Sequence, residues 1–131
     1  MSAPAAGVIP YAPKAVRDHL ASVLGPDVRV ATKVPAERPA KLVTITTAPT
    51  GGGTNLVLSP RRLIIQVYNA DEQVAGELAE TVFAHLKTAH FIKGNGLRNV
   101  TVVGTPARFD DPDDSTPRFQ MTVDVLLRAV F

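Results

Sequence analysis

The run RRLIIQVYN, residues 61–69, is the feature that most limits how this chain folds. Leu63, Ile65 and Val67 alternate with other largely apolar side chains, a pattern that predicts a β-strand covered by protein on both faces. From residue 70 to residue 90 the apolar spacing changes to three and four residues, which predicts an amphipathic α-helix. The chain therefore combines a buried strand with a helix that follows it directly.

A capping box is predicted at the start of this helix. Asn69 is expected to accept a hydrogen bond from a backbone N–H three residues on, while Glu72 reaches back, so the helix begins at about Ala70 and runs to about His90. Its acidic residues come early and its basic residues late, as the helix dipole favours. Its predicted core-facing residues are Val74, Leu78, Val82, Leu86 and Ala89, with Ala75 and Ala79 beside them.

One more helix and four more strands are predicted elsewhere in the chain. The helix begins at Pro13, a residue type that suits the first turn, and ends before Gly25. Its apolar stripe is Val16, Leu20, Val23 and Leu24. Alternating apolar and β-branched residues predict strands over 28–34, 41–48, 100–109 and 118–131.

These elements follow the order α-β-β-β-α-β-β, which predicts a single α+β domain, residues 13–131, after an N-terminal arm, residues 1–12. The simplest arrangement is a mostly antiparallel sheet of about five strands with both helices on one face. The length of 131 residues suits one domain, and because the chain has no cysteine, its core must hold it together without disulfides. Its apolar runs are far shorter than the ~20 residues that span a bilayer, so we expect no membrane segment.

No catalytic, cofactor-binding or metal-binding residues are predicted. His85 and His90 lie about 140° apart around the helix, so they are not placed to bind one metal ion as an i, i+4 pair is. The acidic run DDPDD, residues 110–114, lacks the glycine and glutamate of a calcium loop, and we interpret it as a solvated turn. No serine lies in a known nucleophile motif. We therefore expect a protein that is not an enzyme and binds no cofactor.

The segment TTAPTGGGTNLVLSPRR, residues 46–62, joins two predicted strands through a glycine-rich loop, residues 49–59. The loop lacks the Lys-Ser/Thr end of a P-loop and leads into a strand, so it is not a nucleotide site. Leu56 and Val57 are apolar residues that a monomer does not easily bury, so we interpret the loop as a flexible hairpin extension that packs against a neighbouring subunit or partner. The candidate interface residues are Gly51, Gly52, Gly53, Leu56, Val57, Arg61, Arg62 and Phe131.

The sheet face opposite the helices is expected to be apolar, because Ile64, Tyr68, Leu126, Val130 and Phe131 are assigned to it. A partner would bury these residues, or loops of the same chain would cover them, and both alternatives stay open. The basic residues form no recognised nucleic-acid motif, which favours a solvated face of mixed charge over weak nonspecific contact with DNA. These basic residues are Arg29, Lys33, Arg38, Lys41, Arg61, Arg62, Lys93 and Arg98.

Three features together resemble the tail terminator proteins of long-tailed, noncontractile bacteriophages. They are the α-β-β-β-α-β-β order, the strand RRLIIQVYNAD running into the helix EQVAGELAETVFAHLK, and the ending DDPDDSTPRFQMTVDVLLRAV. The resemblance covers residues 8–131 and rests on topology and a loose pattern, without an invariant motif. The abundance of Ala, Val, Pro, Gly and Arg also suits a GC-rich genome, such as that of a phage of an actinobacterium.

The resemblance implies a structural virion protein of the tail neck, assembled in the host cytoplasm. Such a protein forms a ring, typically a hexamer, on the end of the tail tube and halts polymerisation of the tube protein. The ring also offers the surface on which the head-tail connector or stopper protein docks. DNA passes through its lumen without sequence-specific binding. The resemblance carries over no individual site residue.

Two other classes stay open. Another neck component, such as a head-tail stopper or a tube-like subunit, would share this size and β content, although tube subunits tend to have more strands and one helix. A cytosolic α+β enzyme or small-ligand module would need a concave pocket with convergent polar groups.

Overall fold

A computed structural model describes residues 5–91, 94 and 96–131 of the chain. Its two helices and five strands follow the predicted order, so the α+β prediction is confirmed. In chain order the elements are α1 (Ala12–Leu24), β1 (Arg29–Ala31), β2 (Leu42–Ala48), β3 (Leu58–Tyr68), α2 (Glu72–Lys87), a 3-10 turn (Ala89–Phe91), β4 (Leu97–Arg108) and β5 (Arg118–Arg128).

The strands form one sheet in the order β1-β2-β3-β5-β4. The central pair is antiparallel and long, with Leu58 opposite Arg128 at one end and Tyr68 opposite Arg118 at the other. β1 runs parallel to β2, and the other neighbours are antiparallel. The sheet is therefore mostly antiparallel, with its first strand as the exception.

Both helices pack on the same face of the sheet, as predicted. The alternation in β3 places Leu63, Ile65 and Val67 in the core, where each is fully buried. From the helices, Leu20 and Leu86 reach the same cluster. The apolar stripes predicted for the two helices face the core, but they include residues that the core does not fully bury. Val74 and Leu78 are half-buried, and Val23 is exposed.

The opposite face of the sheet is covered only at one end, where Ala31, Leu42 and Tyr68 form a second buried cluster, and elsewhere it is less apolar than predicted. Polar pairs cross it between β3 and β5: Gln66 Nε2 donates to Gln120 Oε1 at 2.9 Å, and Arg62 Nε donates to Asp124 Oδ1 at 2.8 Å. Ile64 is only half-exposed among these pairs. The five residues assigned to this face divide as follows: Ile64 and Leu126 are half-buried, Tyr68 is buried, and Val130 and Phe131 are exposed beyond the end of β5.

The predicted capping box at α2 is wrong by two residues. Asp71 is the N-cap, and its side chain accepts from the backbone N–H of Val74. Asn69 instead closes a turn just before the helix, where its Oδ1 accepts from the N–H of Asp71. Glu72 pairs with Arg108 of β4 at 2.7 Å. Asn and Asp are equally good N-caps, so residue type alone does not distinguish the two positions.

Strand ends also differ from the predicted bounds. β1 spans only three residues, and Val34, assigned to it from the sequence, lies in the following loop and is exposed. β3 begins at Leu58, because pairing with the end of β5 extends it backwards, so the glycine-rich loop spans residues 49–57. The final strand stops at Arg128, and β4 begins earlier than predicted, at Leu97.

The acidic turn between β4 and β5 is not simply solvated, which corrects the sequence interpretation. Arg38, in the loop between β1 and β2, donates to Asp111 Oδ2 at 2.9 Å and to Asp114 Oδ2 at 3.0 Å. Its guanidinium carbon also lies 4.8 Å from the ring centroid of Tyr68. Asp111 is buried, with 6% of its surface exposed. This clamp joins two loops across the end of the sheet and covers Tyr68.

Among the helices in the described ranges, none is long and apolar enough to cross a membrane. Lys93, one of the basic residues named from the sequence, lies outside the described residues, as do the first four residues of the N-terminal arm.

Candidate interaction surface

Three segments that are far apart in the sequence meet at the end of the sheet where β5 finishes. The backbones of Val8 and Val130 exchange two hydrogen bonds, each 2.8 Å long. The N–H of Ala129 donates to the carbonyl of Val57 at 2.7 Å. The N-terminal arm and the glycine-rich loop are therefore both joined to the C-terminal segment, residues 129–131.

This junction exposes apolar side chains from all three segments. Leu56 is 87% exposed, which is more than any other large apolar residue in the described ranges, and Phe131 is 67% exposed. Val8 and Val130 face each other in an antiparallel bridge, so their exposed side chains lie on the same side. We call the exposed apolar residues of these three segments the terminal patch: Val8, Leu56, Val57, Val130 and Phe131, of which Phe131 turns its ring towards Gly7 and Ala129.

Gly7 makes the junction sterically tight. A Cβ atom at this position would lie 2.8 Å from the Cβ of Ala129 and 2.8 Å from a ring carbon of Phe131. Real Cβ atoms do not approach other atoms so closely, so only glycine lets the arm pack against the C-terminal segment. The sequence analysis did not identify this residue, because nothing local to it indicates the contact with residues 129–131.

The glycine-rich loop ends in a folded turn. The side-chain Oδ1 of Asn55 accepts from the backbone N–H groups of Val57 and Leu58, both at 2.8 Å. Thr54 Oγ1 lies 2.8 Å from Ser59 Oγ, which ties the turn to the start of β3. Asn side chains stabilise such turns by replacing a backbone acceptor. Leu56 is thus held at the tip of an ordered turn.

A groove of about 500 Å³ lies where the N-terminal arm passes into α1. Its lining is mainly apolar, with Thr47 and Arg61 as its polar side chains apart from the Tyr11 hydroxyl. Arg61 Nη1 donates to Ser59 Oγ at 2.6 Å and to the carbonyl of Pro60 at 2.7 Å. The lining residues are Ile9, Pro10, Tyr11, Ala12, Pro13, Thr47, Ala48, Pro49 and Arg61.

The structure gathers some of the predicted interface residues and separates others. Leu56, Val57 and Phe131 belong to the terminal patch, and Gly51 to Gly53 lie in the adjoining loop. Arg61 and Arg62 project to opposite faces because side chains alternate along β3. Arg62 is paired with Asp124 on the uncovered sheet face, and this hydrogen bond raises the pKa of Arg62 above its usual value.

The described residues include no group of three or more His, Cys, Asp or Glu side chains that is arranged to hold a metal ion. His19 has a structural contact, since its Nε2 lies 3.1 Å from the carbonyl of His85 and links α1 to α2. The terminal patch contains Leu56, the most exposed large apolar side chain in the described ranges, and is the candidate functional surface.

No protein-family model matches this sequence. No curated protein sequence matches it significantly.

Proposed function

We propose that this protein is a phage tail terminator, a structural protein of the virion neck that is not an enzyme. In this proposal it assembles in the host cytoplasm as a ring, most simply a hexamer, on the end of the tail tube. The ring ends polymerisation of the tube protein and presents a docking surface to the head-tail connector or stopper protein. DNA crosses its lumen without being read for sequence.

The terminal patch is the observation that carries this proposal. An isolated monomer leaves apolar side chains of three separate segments exposed at one end of the sheet, with Leu56 87% exposed. Exposed apolar patches on soluble proteins commonly mark contacts with other proteins. A subunit that adds to a tube end needs such a surface, because burial of the patch stabilises only the assembled state.

The arrangement of the domain supports the proposal further. The element order on which the resemblance to tail terminators rests is present in the structure. Because both helices pack on one sheet face, the other face of β3 and β5 remains available for additional subunit contacts. Its polar cross-strand pairs suit a surface that is solvated before assembly.

The test mixes the protein with growing cognate tail tubes and records tube length and end structure by electron microscopy. The unaltered protein is expected to bind tube ends and stop their growth. The double variant Leu56→Asp/Val130→Asp is expected to keep its fold and lose capping, because the charges oppose burial of the patch. Val34→Asp is the matched control, since Val34 is also exposed but lies in the loop between β1 and β2.

Uncapped tubes in the presence of the unaltered protein would contradict a terminator role. Binding to the connector complex without binding to tube ends would instead identify another neck component. A thermal stabilisation by a small molecule, with neither kind of binding, would favour a ligand-binding module.

A further inference from the structure

Leu56 lies exposed at the tip of a turn whose backbone is held by hydrogen bonds. Its neighbours on both sides are held by the Asn55 side chain, through bonds of 2.8 Å to Val57 and Leu58. A backbone turn held in this way loses little conformational entropy when its exposed residue docks. The tip therefore has the properties of a preorganised anchor residue, which usually lies at the centre of a protein interface.

The groove at the start of α1 offers a separate apolar surface on the same chain. Tyr11, Pro13 and Pro49 contribute to its walls, and the tip residue Leu56 is not part of it. The groove also contains hydrogen-bond donors, because Arg61 uses only Nη1 within the protein. Its Nε and Nη2 groups have no acceptor among residues 5–91, 94 and 96–131.

The glycine-rich loop supplies matching acceptors next to the tip. The loop, PTGGGTNLV over residues 49–57, contains no charged side chain. Within the described part of the chain, no donor bonds the carbonyl oxygens of Gly51, Gly52 or Gly53. An apolar tip beside free carbonyls complements an apolar groove beside free guanidinium N–H groups.

We propose that Leu56 of one copy of this protein occupies the groove of a second copy, where Arg61 donates to the glycine carbonyls of the incoming loop. The chain itself carries both halves of the contact, which selects a second copy as the occupant. We infer a heterologous contact, in which each copy inserts its tip into one neighbour and receives the tip of another, and such contacts close into rings or continue as filaments. The proposal rests on the proposed ring function, for which it names the joining surfaces.

The absence of cysteine from the chain permits a direct cross-linking test. Leu56→Cys and Thr47→Cys are purified separately with tags of different mass, mixed and mildly oxidised, with and without tube ends. The tip-groove contact predicts a mixed disulfide dimer that forms about tenfold faster than in the control pairing. The control pairs Leu56→Cys with Glu80→Cys, which lies at an exposed position of α2. Equal rates in the two pairings would overturn the inference.

Complementing variants supply a second, independent measurement. Leu56→Asp removes the tip, and Thr47→Trp fills the groove at a position that is already exposed. Each variant alone is expected to stay monomeric, because losing the burial of one leucine weakens the contact roughly ten- to a hundredfold. Their mixture is expected to stop at dimers, since only one intact tip and one intact groove meet. Assembly of Leu56→Asp as well as the unaltered protein would refute the contact.

The two proposals fail in different ways. If rings cap tubes but the tip and groove cysteines cross-link no faster than the control, the joining surfaces are wrong and the terminator role stands. If the tip-groove dimer forms but tube ends stay uncapped, the contact stands and the terminator role is wrong.

Discussion

Replacing Arg38 by alanine tests whether the clamp across the end of the sheet stabilises the fold. Arg38 binds Asp111 at 2.9 Å, and the side chains of the two residues are only 27% and 8% exposed. The substitution therefore leaves a buried carboxylate oxygen without its charged partner. It also removes the cation–π contact with Tyr68. The exposed pair with Asp114 adds little, because solvent screens it.

The expected loss is about 2–4 kcal/mol. A buried acceptor that loses a charged partner costs ~1.5–3 kcal/mol, and the cation–π contact contributes ~0.5–1 kcal/mol. For a domain of this size, each kcal/mol lowers the melting temperature by roughly 4 °C, so the expected decrease is about 8–16 °C.

Urea unfolding followed by far-ultraviolet circular dichroism measures this loss, and a double-mutant cycle with Asp111→Ala assigns it to the pair. The double variant should lose less free energy of unfolding than the sum of the losses in the two single variants. Arg17→Ala is the control, because its exposed contact with the neighbouring Asp18 is 3.4 Å long and should leave the midpoint unchanged. A loss below about 1 kcal/mol for Arg38→Ala, or an additive cycle, would show that the clamp is only a surface contact.

Two further predictions concern the arm and the acidic turn. Gly7→Val should expel the arm from the C-terminal segment, because its Cβ would lie 2.8 Å from neighbouring side chains; proteolysis within the arm should accelerate while the urea midpoint barely moves, and unchanged proteolysis would contradict the close contact. The pKa of Asp110 is lowered by its hydrogen bond from Arg108, and that of Asp114 by the backbone N–H of Thr116. A carboxyl group whose pKa is lowered by folding stabilises the fold at pH values above its unfolded pKa, and this stabilisation is lost as the pH falls through the folded pKa. The urea midpoint should therefore drop below about pH 4. The urea midpoint of the variant with both aspartates changed to asparagine should drop less over the same pH range. Parallel pH curves for the variant and the unaltered protein would refute this assignment.

Local pattern was sufficient for much of the fold. The alternation through Leu63, Ile65 and Val67 predicted both the strand and its core-facing side, because side-chain direction in a strand follows position alone. The change of spacing near residue 70 predicted a helix for the same reason. The N-cap was misassigned because Asn69 and Asp71 are comparably favoured N-cap residues, and Glu72 pairs with Arg108 and does not reach back to the cap.

The candidate surface was only partly predictable. Leu56 and Val57 could be selected because an apolar residue in a loop has no obvious place in a monomer's core. Arg61 and Arg62 were grouped because they are adjacent, yet strand alternation sends them to different surfaces. The groove was missed altogether, because its walls come from the arm, β2 and β3 and no single segment indicates it.

The sequence by itself determined which segments are helices and strands and which side chains of β3 face the core, since propensity and periodicity act within a few residues. Only the tertiary structure decided that β3 and β5 pair at the centre and that Val8 meets Val130. It also decided that Arg38 reaches Asp111. These contacts join residues distant in the chain, and they form because packing of the core on one sheet face brings the strand ends together, which no local preference specifies.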